Sequence, residues 1–205
     1  DYAILNAVKR TLADKQAKKE NTVFVSGIGC SSRLPYYMAT YGFHTIHGRA
    51  PAFATGIKLT NPELDVWIIT GDGDSLSIGG NHFIHLLRRN LNCQLLLFNN
   101  EIYGLTKGQY SATMELGSKK RKGAANAQPP IDLCKMAINL GCGFVARSFS
   151  GARKQLTSLL KAALSHKGMA VIDVISPCVT FANNDDSSRS YSYVKENDEP
   201  LHVVD

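Results

Sequence analysis

The feature that most constrains this chain is a short unit built of strand, turn, helix and strand. The apolar run "DVWIIT" enters Gly71-Asp72-Gly73-Asp74, an amphipathic stretch "NHFIHLLRRN" follows, and a second apolar run, "CQLLLFNN", ends at Asn99-Asn100. Two buried strands joined by a helix pair in parallel, and parallel sheets need helices on both faces.

The rest of the sequence repeats that rhythm. Residues 2–18 place Ala3, Ile4, Ala7, Val8 and Leu12 on one helical face, with Lys and Arg opposite. "TVFVSGIG" reads as a buried strand ending in a glycine turn, and after a loop with Pro35 and several tyrosines, "APAFATGIKLT" reads as a helix stopped at Asn61-Pro62. Residues 104–130 carry no clear period and read as a long functional or mobile loop. A helix over 131–140, strand "GFVARSF", a helix over about 151–166 and strand "MAVIDVIS" complete the pattern, and the tail after Pro177 reads as polar and extended. The expected fold is α/β, with a domain over residues 1–178 and an extended segment over 179–205. At 205 residues, one sizeable core is the natural content.

Ligands of such sheets sit at the carboxyl ends of the strands. The tips fall at Gly27–Cys30, Gly71–Ser75, Asn99–Gly104 and Ser176–Cys178. At the second tip, two glycines let the backbone bend and approach a ligand, and the helix beginning near Gly79–Asn81 offers a seat for phosphate. Asp72 would repel a phosphate unless a cation lay between them, and Mg²⁺ bridges carboxylates and phosphates in this way. Asn100 at the next tip adds a neutral oxygen, and a loop carbonyl two residues on adds a third. Read alone, Gly-Asp-Gly is equally a tight turn.

Bulk properties exclude other classes. The net charge of +6 would suit a polyanion, but "KKRK" at 119–122 lies in a Gly/Ala/Asn/Pro-rich stretch and reads as a solvated loop. No basic helix with interleaved aromatics points to nucleic acid, and no apolar run approaches the roughly 20 residues that cross a bilayer. Five irregularly spaced cysteines argue against a disulfide-stapled domain and for a reducing, cytoplasmic setting. The chain opens directly on a helical pattern without an initiator Met, as a fragment or processed chain would.

Asp72 and Asn100 stand 28 residues apart, and together they resemble the thiamine-diphosphate motif, in which "GDG" is followed by "NN". The resemblance extends through "GIGCSSRLPYY", "HGRAPAFATGIKL", "GDGDSLSIGGNHFIHLLRRN" and "FNNEIYGLTKGQYS" to "ISPCVTF". Over nearly the whole chain it is similar to the β subunits of 2-oxoacid:ferredoxin oxidoreductases, above all the 2-oxoglutarate type.

That resemblance implies the thiamine-diphosphate-binding, pyrophosphate-type fold. It makes Asp72, the Asn100 side chain and the Ile102 carbonyl the Mg²⁺ ligands. It places a basic residue, Arg33, for the substrate's 1-carboxylate. By position, Gly71, Gly73 and Asp74 lie at the cofactor, His47 before a small-residue helix is within reach of the diphosphate or the substrate, and Thr106 and Gln109 after the metal loop are expected to contact cofactor or substrate. It implies a [4Fe–4S] cluster held in part by Cys30 and Cys178; the first pair of ligands, an N-terminal C-x-x-C, is expected outside this chain. Cys93, Cys134 and Cys142 are expected to be structural thiols, and His82 and His85, at helical spacing, to pack rather than bind zinc. Coenzyme A and ferredoxin are the implied co-reactants. Glu20, Glu63, Glu101, Glu115, Glu196 and Glu199 fall in loops, turns or the tail, so the glutamate that activates thiamine is expected from an α subunit with a pyrimidine-binding domain. No catalytic side chain is therefore assigned to this chain. The alternative is a carboligase of the acetolactate synthase type, which would keep Asp72 and Asn100 and need no cluster; a dinucleotide-binding domain lacks its G-x-G-x-x-G.

Overall fold

Wholly apolar runs make the centre of the sheet. In the computed structural model, which describes residues 2–118, 124–181, 187 and 189–197, β3 (Asp65–Gly71) and β4 (Cys93–Asn99) are buried along nearly their whole length. They pair in parallel, Val66 opposite Cys93 through Gly71 opposite Phe98. β1 (Thr22–Ser26) and β2 (Tyr41–His44) extend the sheet on one side, and β8 (Ala170–Ile175) and β7 (Phe144–Phe149) on the other. The order is β2-β1-β3-β4-β8-β7, with every pairing parallel. The chain leaves β1 towards one edge and returns to β3 on its other side, so the crevice between the tips of β1 and β3 is a topological switch point.

Alternation along the strands divides the core in two. Phe24, Trp67, Ile69, Leu96 and Ile172 meet α1 (Tyr2–Asp14) and α5 (Arg153–Ser165) on one face. Val25, Ile68, Leu95, Leu97 and Val171 meet α2 (Ala50–Thr60), α3 (Gly80–Arg89) and α4 (Leu133–Asn139) on the other. In α3, Phe83, Leu86 and Leu87 recur at helical spacing and are buried, each contributing about 1.5–3 kcal/mol by leaving water. The helix stops at Asn90, which takes the left-handed conformation (φ 47°) and accepts the Met169 N–H at 2.9 Å. Lys58 on α2 is buried because its ammonium caps the Pro62 and Leu64 carbonyls.

Several elements depart from the sequence expectation. Tyr41–His44, expected as loop, is the edge strand β2; all four residues are exposed, so no alternation of burial announces it. The stretch expected to lack structure over 104–130 begins inside a hairpin of β5 (Ile102–Tyr103) and β6 (Gln109–Tyr110), turned by Lys107 and Gly108 at positive φ. Tyr191–Asn197, expected as extended tail, forms helix α6; Ser190 Oγ accepts the Tyr193 N–H and Val194 packs on Phe149 and Ile175. α3 begins at Gly80, within the expected Gly79–Asn81 start, but a helical turn at Asp72–Gly73 and a wide π-turn over Asp74–Ile78 precede it. The basic run at 119–122 and Glu199 lie outside the described residues.

Candidate functional site

The first helical turn after β3 places a carboxylate at the floor of the switch-point crevice. Asp72 is 2% exposed. Its Oδ2 accepts the Glu101 N–H at 3.0 Å, the Thr113 hydroxyl at 2.6 Å and the Ser111 hydroxyl. Burial pushes its carboxyl above the ordinary range, opposed by these hydroxyls and by the nearby Asp72 and Gly73 N–H groups. Among the described residues Asp72 makes no ion pair. A buried carboxylate without a cation is costly, and a bound divalent ion supplies one.

Asn100 ends β4 at the same end of the sheet. Its Oδ1 accepts the Ile102 N–H at 3.1 Å, an Asx turn that bends the chain around Glu101 at φ 67°. An amide oxygen has a second lone pair, so Asn100 can still bind a cation. One carboxylate, one amide oxygen and one carbonyl are a hard-oxygen set that suits Mg²⁺ with phosphate oxygens and water completing the shell. Such a set holds a single charged group, and no cluster of three or more His, Cys, Asp or Glu is found among the described residues.

Gly71 and Gly73 were expected to supply a sharp bend, yet neither takes a positive φ, and Gly73 has ordinary helical angles (φ −65°, ψ −41°). Close approach is the reason for Gly73: a Cβ there would stand 2.6 Å from the Tyr103 ring, whose hydroxyl donates to the Gly73 carbonyl at 2.9 Å. The helical turn at Asp72–Gly73 and the π-turn over Asp74–Ile78 lead from the carboxylate into α3, which starts at Gly80.

Asp74 is buried and fully engaged. Its Oδ1 accepts the Gly48 N–H at 2.8 Å and meets His47 Nδ1 at 2.7 Å; its Oδ2 accepts the Thr70 hydroxyl at 2.9 Å. It clamps the loop before α2 to the tip of β3 and fixes the His47 ring, leaving Nε2 as the nitrogen free of that bond. Thr106 donates to Gln109 Oε1 at 2.6 Å, so Gln109 braces the hairpin.

One cleft is walled by Cys30, His47, Gly71, Asp72, Gly73, Asp74, Asn100, Ile102 and Thr106. Residues from the tips of β1, β3 and β4 thus come together, as the strand order requires. Arg33 and Cys178 stand outside that wall. Arg33 is exposed on the 3₁₀ helix Cys30–Tyr37, near enough to Cys30 to lower its thiol pKa. Cys178 and Cys30 flank Gly104: a Cβ there would lie 3.5 Å from one sulfur and 3.6 Å from the other. Two converging thiols fit half of a four-cysteine cluster site. Burial and the neighbouring Cys178 push the Cys30 thiol up, and a bound metal reverses that preference by holding the thiolate.

The remaining cysteines sit in the packing: Cys93 is buried in the sheet, and Cys142 donates to the Phe144 and Met169 carbonyls. Ser111, Thr113 and Tyr103 were not anticipated from the sequence. For Ser111 and Thr113 the signal was position, just after the metal loop in a stretch without period; Tyr103 stood within "FNNEIYG" itself. Glu101, read as an ordinary turn residue, is buried one residue from Asn100.

Residues 27–174 match the family of the thiamine pyrophosphate enzyme C-terminal TPP binding domain. The chain is 52% identical over 182 residues to the 2-oxoglutarate oxidoreductase subunit KorB of Mycobacterium tuberculosis, covering 88% of this chain and 49% of that one. It is 42% identical over 199 residues to the 2-oxoglutarate synthase subunit KorB of Methanocaldococcus jannaschii, covering 95% and 74%. Its fold superposes, with a TM-score of 0.86 and 36% identity, on 2-oxoglutarate:ferredoxin oxidoreductase from Magnetococcus marinus with 2-oxoglutarate, coenzyme A and succinyl-CoA bound, covering 100% of this chain and 70% of that one. The chain spans 49% and 57% of the lengths of two of these curated relatives, the second being the β subunit of an Aeropyrum pernix 2-oxoacid:ferredoxin oxidoreductase.

Proposed function

The chain belongs to the β-subunit family of the 2-oxoacid:ferredoxin oxidoreductases, within the thiamine pyrophosphate enzymes, and from that premise we propose that it binds thiamine diphosphate and Mg²⁺ in an enzyme that converts a 2-oxoacid and coenzyme A to acyl-CoA and CO₂. 2-Oxoglutarate is the substrate named for several of its relatives, and ferredoxin is the proposed electron acceptor. The observation that carries the reading is the buried Asp72 carboxylate, without an ion pair among the described residues, sharing one cleft with Asn100.

When bound, thiamine diphosphate supplies the carbon nucleophile and electron sink for decarboxylation, and an iron–sulfur cluster supplies one-electron steps. This chain's residues hold and orient. Asp72, Asn100 and the Ile102 carbonyl would hold Mg²⁺, and the Gly71–Asp74 turn leading into α3 would receive the diphosphate. Thr106, and His47 as held by Asp74, bind alongside it. Arg33 clamps the substrate carboxylate through paired N–H donors. Cys30 and Cys178 provide two of four cluster ligands.

The glutamate for cofactor activation comes from an α subunit. Glu101, the buried glutamate among the described ones, supports this reading because its carboxylate is occupied by Arg189. The five unpaired cysteines support a reducing, cytoplasmic setting.

Co-expression with the α subunit tests the proposal. The complex is expected to reduce methyl viologen in a 2-oxoglutarate- and coenzyme A-dependent manner, and Asp72→Ala or Asn100→Ala to abolish it. Reduction by the isolated chain, or carboligation without dye reduction by the complex, would overturn it.

A further inference from the structure

A continuous buried polar chain leaves Asp72 and crosses the sheet. Thr113 Oγ1 stands 2.6 Å from Asp72 Oδ2 and 3.0 Å from Asn99 Oδ1. Asn99 Nδ2 donates to Asp173 Oδ1 at 3.1 Å, and Arg147 Nε donates to Asp173 Oδ2 at 2.9 Å. Arg147 also reaches Asp132 Oδ1 at 3.1 Å, at the start of α4. Asp72, Thr113, Asn99 and Asp173 are each no more than 2% exposed. Strand register builds the far end, since Arg147 on β7 lies opposite Asp173 on β8.

We propose that Thr113 and Ser111 are positioning residues of the divalent-cation site. This rests on the reading of Asp72 as a metal ligand. A threonine hydroxyl has one proton, and between a carboxylate and an amide oxygen the charged acceptor binds it more strongly. Ser111 is held in turn by its own N–H on the Glu101 carbonyl at 3.0 Å and lies 3.1 Å from Thr113 Oγ1. Two hydroxyls and the Glu101 N–H therefore converge on Oδ2 alone. Three donors on one oxygen fill it and fix the rotation of the carboxylate, leaving Oδ1 as the oxygen that would take a cation. A loop that only covered the core would have no need to spend two buried hydroxyls on one carboxylate oxygen. Partners of metal ligands of this kind typically change affinity ten- to a hundredfold.

The test uses the full-length subunit in complex with its partner, with Mn²⁺ as an EPR probe in the presence of thiamine diphosphate. Thr113→Val is expected to weaken Mn²⁺ binding about ten- to a hundredfold, Thr113→Ser to restore it, and Ser111→Ala to weaken it by about tenfold. Asp72→Asn serves as the reference. If D72N abolishes Mn²⁺ binding while T113V and S111A bind as the wild type does, the positioning role is wrong and the site stands. If D72N binds as the wild type does, the site itself is misassigned. Should T113V fail to assemble, S111A decides: unchanged Mn²⁺ affinity in that variant overturns the inference.

Discussion

Arg189 Nε donates to Glu101 Oε1 at 3.1 Å, tying the segment before α6 to the residue between Asn100 and Ile102. The ion pair does not set the titration of Glu101. Burial dominates and pushes its carboxyl from 4.5 up to about 7, with Arg189 opposing. Between those values the folded chain holds a proton that the unfolded chain has released. Stability of the metal-free protein therefore falls as pH rises from 4.5 to about 7, by roughly 3 kcal/mol for this group. Glu101→Gln flattens the fall. Urea midpoints across that range, in both proteins, measure it, and equal slopes would contradict the assignment.

Gly27 stands where a side chain would collide with Asp74, since its Cβ would overlap Asp74 Oδ2. Gly27→Ala must therefore displace the carboxylate that holds Thr70, His47 and Gly48 together. A loss of about 1–3 kcal/mol in chemical denaturation is expected, with weaker thiamine diphosphate binding by calorimetry. A variant as stable as the wild type would show that this clamp yields easily.

Arg147 neutralises Asp173, which is 0% exposed. Arg147→Leu removes the cation paired with that buried carboxylate and leaves it the Asn99 amide, at a cost of about 3 kcal/mol. Adding Asp173→Asn removes the stranded charge, and at least half the loss should return. Thermal melts of the single and double variants make the comparison.

Gly104 faces both Cys178 and Cys30. Gly104→Val fills the space between the sulfurs, so the anaerobically purified complex should lose most of its iron and its reduced-cluster EPR signal. Full iron occupancy in this variant would dissociate the two thiols from the cluster.

Where an interaction is carried by a pattern, it could be read in advance. Asp72 and Asn100 follow apolar runs long enough to be central strands, and parallel strands must bring their tips to one edge. The helices α2, α3 and α5 announced themselves through apolar spacing and stop signals such as Asn61-Pro62. Ser111 and Thr113 could not be read in the same way, because a hydroxyl in a loop without period looks the same whether it faces water or a carboxylate. β2 was hidden because its four residues are all exposed, and α6 because Val194 is its one buried residue. Gly73 was read for its freedom to bend when its use is to make room for Tyr103.

Asp72 has a consequence at the level of the cell. On the proposed function, a buried carboxylate without an ion pair among the described residues carries a penalty that cofactor loading would remove, so binding and folding draw on the same free energy. A ligand present at a hundredfold over its dissociation constant adds about 2.7 kcal/mol to the folded state. Differences of that size shift how much of a protein survives turnover by proteases. The steady-state amount of the subunit should thus follow the supply of thiamine and magnesium, with idle copies cleared when either runs short.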